Sequence, residues 1–448
     1  MNEMKHTGIR WIGEVPSDWT LLKMKHFSYM KGRIGWQGLT ADEFTEEGAY
    51  LITGTDFENG HVCWERCYHI SEKRYAEAVP IQVRVGDLLV TKDGTIGKLA
   101  YIDELPGKAS LNSHLLVIRP VGGKYINKFL YWVMYSTVFQ GYYEFESYGS
   151  TMDSLSQEKI GEFSFYAPSI NEQERIADFL DKECAKLDEI IVTVQQQLDT
   201  LKAHKKSLVT EAVTKGIDGA TDMKDSGTWI GSIPANWQIS KIKYLVDGSQ
   251  TYPIGDGDHG MIKADDYLTE GIPYIRVLNL TWGNGLSLED IVYIDEAMNA
   301  KIKNSELHPN DILIAKTGAT IGKTAIVPDW MPRSNTTSHV GKITLPDTQC
   351  PEFFYHQMNS DVIQLQISDL SAMQSTRPEL GIEGLKNLMV VVPPLAIQRE
   401  IARYLDERCD AIDAVIKAKQ AQLDTITNHK SSLIFEYITG KKRVKEVV

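Results

Sequence analysis

The chain has 448 residues, of which 42% are hydrophobic and 24% charged, with a formal net charge of −13. That composition excludes a fibrous or disordered protein, and at about 150 residues per domain it predicts roughly three units. Five cysteines are too few for a disulfide framework. The longest apolar run, Leu388 to Ile397, is broken by Pro393 and Pro394 and falls far short of the roughly 20 residues that span a bilayer. Met1 to Arg10 is polar and lacks the apolar core of a secretory signal, so no membrane association and a cytoplasmic location are expected. The excess of 60 acidic over 47 basic residues argues against a general nucleic-acid coat. Local charge differs, however: Arg84 to Lys124 holds six bases against four acids, and Lys301 to Lys342 six against three.

In chain order, Trp11-Ile12-Gly13 and Trp19 open a region that reads as mixed α/β. Ala49 to Thr53 and Gly86 to Val90 are predicted strands, and Lys124 to Phe139 a short helix. After Pro168 comes a long helix whose apolar positions alternate steps of four and three. Its seam is Leu180, Cys184, Leu187, Ile191, Val194, Leu198, Leu201, Lys205, Leu208 and Ala212. From Leu180 to the stop at Gly216 it would measure roughly 55 Å. Asp218 to Gly227 then reads as a linker.

Everything recurs. Gln173, Ile176, Ala177, Leu180, Asp181, Cys184 and Asp188 return 225 positions later as Gln398, Ile401, Ala402, Leu405, Asp406, Cys409 and Asp413. Thr95 to Lys98 returns as Thr320 to Lys323, and Trp11-Ile12-Gly13 as Trp229-Ile230-Gly231. Strands are predicted at Ile272 to Val277 and Asp311 to Ala315, and a helix at Glu352 to Leu365. The second seam is Leu405, Cys409, Ile412, Ile416, Lys419, Leu423, Ile426, Lys430, Leu433 and Tyr437, ending before Gly440. Two tandem copies of about 225 residues account for the chain. The expected boundaries are a first head over 1–166, a central helix over 167–216, a linker over 217–227, a second head over 228–391, a distal helix over 392–440 and a tail over 441–448. The two helices are expected to pack antiparallel as a spacer. Lys205 and Lys430, at one seam position, would set register.

Catalytic patterns fail on inspection. Gly318 to Thr324 resembles a phosphate loop but has three residues between its glycines where four are needed. Asp87 with Lys92, and Asp311 with Lys316, lack the second carboxylate of a metal-dependent nuclease. His61, Cys63, Cys67 and His69 have zinc-type residues, but on one strand they would spread over roughly 26 Å, and the second copy has no equivalent. No metal, cofactor or catalytic residue is expected in this chain.

The Trp-Ile-Gly-x-x-Pro-x-x-Trp openings, the Gly-Asp-Leu-Leu…Gly-Thr-Ile-Gly-Lys segment with its second copy, and Ser-Thr before a Pro-led helix start with Gln come twice in order. In these features, over nearly its whole length, the chain resembles the specificity (S) subunit of type I restriction–modification systems. Asn310 for Gly86 and an extra residue in the second Gly-Thr loop are its departures. The resemblance implies two pseudo-symmetric target-recognition domains, mixed α+β, joined by two long antiparallel coiled-coil helices. It implies that each head reads half of a bipartite sequence in double-stranded DNA. The partners it implies are two methyltransferase subunits docked on the helices and restriction subunits joined through them. S-adenosylmethionine, ATP and Mg would belong to those partners. Half-sites on one face of DNA lie about 34 Å apart or a multiple of it, a scale that such helices match. A coiled-coil scaffold with protein-binding heads, and an enzyme with an unrecognised site, are the competing readings.

Polar residues shared by the heads are expected to hold phosphates, and unshared ones to read bases. The shared set is Lys92, Thr95, Lys98, Ser113 and His114, with Lys316, Thr317, Thr320, Lys323, Ser338 and His339 in the second copy. The expected base readers are Arg33, Gln37 and Asn112 in head one and Asn335, Gln374 and Arg377 in head two. The Gly94 to Gly97 stretch reads equally as a tight hairpin.

Overall fold

The computed structural model describes residues 3–33, 39–147, 155–219, 222–257, 259–282, 285–372 and 378–444. The chain divides into two compact units. Unit one combines Met1–Val194 with Ala421–Val448, and unit two is Gln195–Gln420. The division cuts both long helices, so each unit holds one head, half of the central helix and half of the distal helix.

In unit one a four-stranded antiparallel sheet runs in the order Leu99–Tyr101, Leu88–Thr91, Leu115–Pro120, Ser28–Gly32. Its central strand is buried on both faces. Leu88 and Val90 point into one core with Trp19, Phe129 and Phe163, and Leu89 points into another with Ile52 and Ala100. An uninterrupted apolar strand is what two-sided burial demands, because successive side chains leave on opposite faces. A second sheet runs Ala109–Leu111, Ala49–Ile52, Tyr68–Ile70, Phe44–Thr45, with its first pair parallel.

Unit two repeats the plan. Its main sheet runs Ile254–Asp256, Val340–Ile343, Ile312–Ala315, Thr324–Ile326, and its second Val292–Ile294, Ile272–Ile275, Asn335–Thr336, the last pair again parallel. Ile312 and Ile314 face one core, Leu313 and Ala315 the other.

The central helix spans Ile170–Lys215 and the distal helix Leu395–Ile438. In unit one, Phe179 meets Tyr437 and Asp188 meets Lys430, so numbers rise along one helix as they fall along the other. The pairing is antiparallel. Seam residues Leu180, Cys184, Val194 and Leu198, and Leu405 and Cys409, are buried. Leu187, Ile191, Leu201, Leu208, Ile412, Ile416, Leu423, Ile426 and Leu433 are half-buried between mostly exposed neighbours. Burial pushes the Cys184 thiol up to about 12 and that of Cys409 up to about 11. Both are therefore protonated packing groups.

The repeated motifs prove to be joints. Gln173, fully buried, accepts from the Ile126 amide at 3.0 Å and donates to the carbonyls of Lys124 and Pro168 at 3.0 and 2.9 Å. Gln398 repeats this with the Cys350 amide at 2.9 Å, the Gln349 side chain and the Pro393 carbonyl. Each glutamine thus fastens the start of a long helix to its head. At the far ends, Gly216 and Gly440 take φ of 85° and 70°, which favour glycine. A β-carbon on Gly440 would come within 2.6 Å of the Pro16 ring, and one on Gly216 within 3.5 Å of Trp237. The Pro-x-x-Trp openings are therefore the seats on which helix ends rest.

Three sequence expectations change. The helix expected over Lys124 to Phe139 is two, Asn127–Tyr135 and Thr137–Ser147. Ser136 turns extended between them, and its hydroxyl accepts from the Val138 amide at 3.2 Å as an N-cap. The helix at Glu352 to Leu365 likewise divides into Pro351–Met358 and Asp361–Ala372. The Asp218 to Gly227 linker contains a strand, Met223–Asp225, paired with Ser232–Pro234, just as Met4–His6 pairs with Glu14–Pro16. Backbone pairing, not side-chain pattern, makes these short strands.

Candidate nucleic-acid interface

Antiparallel register gathers several loops at one end of each main sheet. In head one, Thr91 lies opposite Leu115 and Leu116 opposite Gly32. The Lys92–Lys98 hairpin, the Asn112–His114 turn and Arg33 therefore emerge together. The Lys92 amide donates to the His114 carbonyl at 2.9 Å, and Gly97 closes the hairpin on the Thr91 carbonyl at 2.9 Å. In head two, Ala315 lies opposite Val340 and Asp256 opposite Gly341. The Lys316 amide donates to the His339 carbonyl at 2.8 Å, and Gly322 closes on the Ala315 carbonyl at 2.9 Å. Gly94 to Gly97 and its second copy, Gly318 to Gly322 with one extra residue, are both hairpin connections.

Much of the shared polar set lies on this surface. Thr95, Lys98, His114 and His339 are exposed, while Lys92, Ser113, Thr317, Thr320, Lys323 and Ser338 are half-buried. His114 Nδ1 lies 3.4 Å from Asp93 and His339 Nδ1 3.1 Å from Thr317 Oγ1, each histidine leaning on the residue after its lysine. Asn112 accepts from the His114 amide at 3.0 Å and shapes that turn.

Other predicted residues do not reach this surface. Asn335 is fully buried. Its amide nitrogen donates to Asn299 Oδ1 at 2.8 Å and the Ile302 carbonyl at 3.1 Å, and its oxygen accepts from Ser305 Oγ at 2.6 Å and the Thr336 amide at 2.8 Å. A side chain with its hydrogen bonds spent in the core reads no base. Arg33 is 5% exposed, and its guanidinium donates to the Leu111 carbonyl at 2.8 Å and Ser110 Oγ at 3.2 Å. Burial pulls it below its ordinary pKa, and the charge of Arg74 adds to this. Arg33 holds the two sheets together rather than facing outward. Lys316 is 2% exposed and bound to Asp256, so it does not share the position of Lys92 at the surface. Gln37, Gln374 and Arg377 lie outside the described residues.

The rejected catalytic patterns resolve as structure. Asp87 is buried beneath Arg119, with contacts at 2.6 and 2.7 Å, and accepts from the Arg84 amide. Asp311 is buried and accepts from Thr344 Oγ1 and the His308 amide. Each of these carboxylates lies at the opposite end of its strand from the lysine that follows it in sequence. His61 pairs with Asp103, Cys67 donates to the Cys63 carbonyl across the turn Trp64–Arg66, and His69 rests on the Tyr50 ring. Among the described residues no group of three or more His, Cys, Asp or Glu side chains converges as a metal site would require. A groove of about 900 Å³ in unit one is lined by Tyr131, Tyr135 and Tyr143. Its Lys128 pairs with Asp181, and its Lys430 with Asp188.

The family described as the type I restriction modification DNA specificity domain matches the chain twice, over residues 17–200 and 236–425. The type I restriction enzyme MjaVIII specificity subunit of Methanocaldococcus jannaschii is 23% identical over 438 residues, covering 97% of this chain and 95% of its own. The EcoBI specificity subunit of Escherichia coli is 24% identical over 365 residues, covering 79% of this chain and 73% of its own. A solved structure from work on complex assembly and conformational transition of the type I R-M system matches at a TM-score of 0.67 and 14% identity, over 96% of this chain and 99% of that one. At that identity the likeness speaks for the fold alone. No described helix is long and apolar enough to cross a membrane.

Proposed function

The chain belongs to the type I restriction–modification DNA specificity family, whose members are DNA-recognition subunits with a bipartite target, and on that premise we propose that it has no catalysis of its own and directs partner subunits to DNA. One observation supports this most: two heads carry the same loop cluster at the same sheet end, each with an exposed histidine in the same place, His114 and His339. Duplicated heads with a common docking surface suit a duplex, whose backbone is the same at both half-sites while its bases differ. Lys98, Lys323, Thr95, Thr317, Thr320, Ser113 and Ser338 are the further contacts proposed for that surface, with Asn112 holding its turn. The paired helices are proposed to dock two methyltransferase subunits, with restriction subunits joined through them. S-adenosylmethionine, ATP and Mg are proposed to bind those partners. The scaffold reading is not favoured, because both heads match a DNA specificity domain.

The test uses the full-length chain. It should shift duplex DNA in a salt-dependent way. His114→Ala and His339→Ala should each weaken random and cognate duplexes alike, by roughly three- to tenfold, as a loss of sequence-independent contacts requires. With S-adenosylmethionine and cognate DNA it should transfer no methyl group until a methyltransferase partner is added. Transfer by the chain alone would overturn the proposal.

A further inference from the structure

Lys92 and Lys316 have the same backbone setting. Each follows the central strand of its main sheet and donates its amide to the carbonyl of the loop histidine. Each accepts at its own carbonyl from a returning segment, the Leu155 amide at 3.0 Å and the Leu380 amide at 2.8 Å. The difference comes from the neighbouring strand. Gly32 lies opposite Leu116 and Asp256 opposite Gly341, and Leu116 and Gly341 are themselves 225 positions apart. Glycine and aspartate therefore occupy one place in the two heads.

The side chains respond. Over Gly32 the Lys92 chain crosses bare backbone, its Cε 3.7 Å from where a β-carbon would stand. Among the described residues no side chain pairs with its ammonium, and it remains half-buried. In head two, Asp256 Oδ2 accepts from Lys316 Nζ at 2.5 Å, and the other oxygen takes His259 Nε2 at 3.1 Å. Their side chains are 2% and 8% exposed. Withdrawing the lysine would leave a buried carboxylate facing an empty place, a larger penalty than one solvated phosphate contact returns.

We infer that Asp256 makes the two heads electrostatically unequal: Lys92 is a phosphodiester contact in head one, and Lys316 is withheld from DNA in head two. This rests on the DNA-binding reading above. It adds that grip on the backbone is stronger in head one, so that head two depends more on its other contacts.

The experiment measures binding of the full-length chain to a random duplex of about 30 base pairs between about 50 and 200 mM salt, where each phosphate contact contributes about 0.9 to the slope of log K against log salt. Lys92→Met should lower the slope by about 0.9, and the paired replacement Lys316→Met with Asp256→Leu should leave it unchanged. The paired variant removes both charges, which a core tolerates better than loss of one. Lysine labelling of the unmutated chain supplies a second readout. Lys92 should be modified and become protected by duplex, while Lys316 should stay unmodified with or without DNA. An unchanged slope in Lys92→Met, an equal drop in the paired variant, or labelling of Lys316 to the extent of Lys92 would overturn the inference. If the unmutated chain shows no salt-dependent binding, the DNA-binding reading itself has failed.

Discussion

Lys205 donates to both carboxylate oxygens of Asp413, its ammonium 2.8 Å from Oδ1 and 2.6 Å from Oδ2. Lys430 grips Asp188 in the same way at 2.6 and 2.7 Å. The lysines are 225 positions apart and so are the aspartates, so each lysine of one copy binds the aspartate of the other. Such reciprocity follows from antiparallel pairing of two like helices. It also explains why both seams keep a lysine at this position: a shift of register would leave the cation without its partner.

Reversing that charge should expose its value. Lys205→Asp places two carboxylates face to face and should cost roughly 1–3 kcal/mol. Adding Asp413→Lys should recover most of the loss. Urea unfolding of the single and double variants measures both. If the double variant is no better than the single one, the seam lysine acts only through its aliphatic stem.

The glutamine joints should matter more than surface ion pairs. Gln173→Leu keeps the volume but strands the Ile126 amide and two carbonyls, and should cost about 2–3 kcal/mol, as should Gln398→Leu in the other head. Denaturation midpoints at unchanged slope report this directly.

Acid should act through Glu162. Hydrogen bonds from Lys23 and then Lys25 hold its carboxyl down, from the ordinary 4.5 to about 2. A depressed carboxylate contributes stability that is complete above its unfolded value and is lost as pH falls toward the folded one. The relevant window is therefore below about pH 4.5 and down to about 2. Glu162→Gln should therefore lower the unfolding free energy at pH 7 and converge with the unmutated chain as pH falls toward about 2, so that its own fall across that window is flatter.

The long helices should act as rulers, and an insertion that tests this must avoid the C-terminal end of the central helix. There Thr210 Oγ1 accepts from the Asp361 amide, and Val209, Ala212 and Val213 are built into the core of unit two. Seven residues added to each helix near Gln196 and Gln420 would lengthen both by roughly 10 Å, about three base pairs, and preserve the seam. Methylation by the assembled complex on targets with stepped spacers should then show a new optimum spacing. An unchanged optimum would mean that the helices do not measure.

The tandem duplication, the two heptad seams, the stops at Gly216 and Gly440 and the apolar central strands were all legible in the residues. Each is a periodicity or a repeated spacing, and neighbouring positions suffice to express it. The candidate surface was legible only in part. Lys98, His114, Lys323 and His339 do sit at the loop end. Asn335 lies in the core, and Arg33, though at that end, turns its side chain inward, because polarity alone cannot distinguish a base-reading side chain from one satisfying buried backbone. Asp256 drew no attention in the sequence, and it meets Lys316 from 60 positions away. Strand register alone makes that meeting, just as it sets Gly32 beneath Lys92. Which charges stay free at the candidate surface is therefore a tertiary property. Burial and pairing decide it, and both depend on residues that chain folding, rather than chain order, makes neighbours.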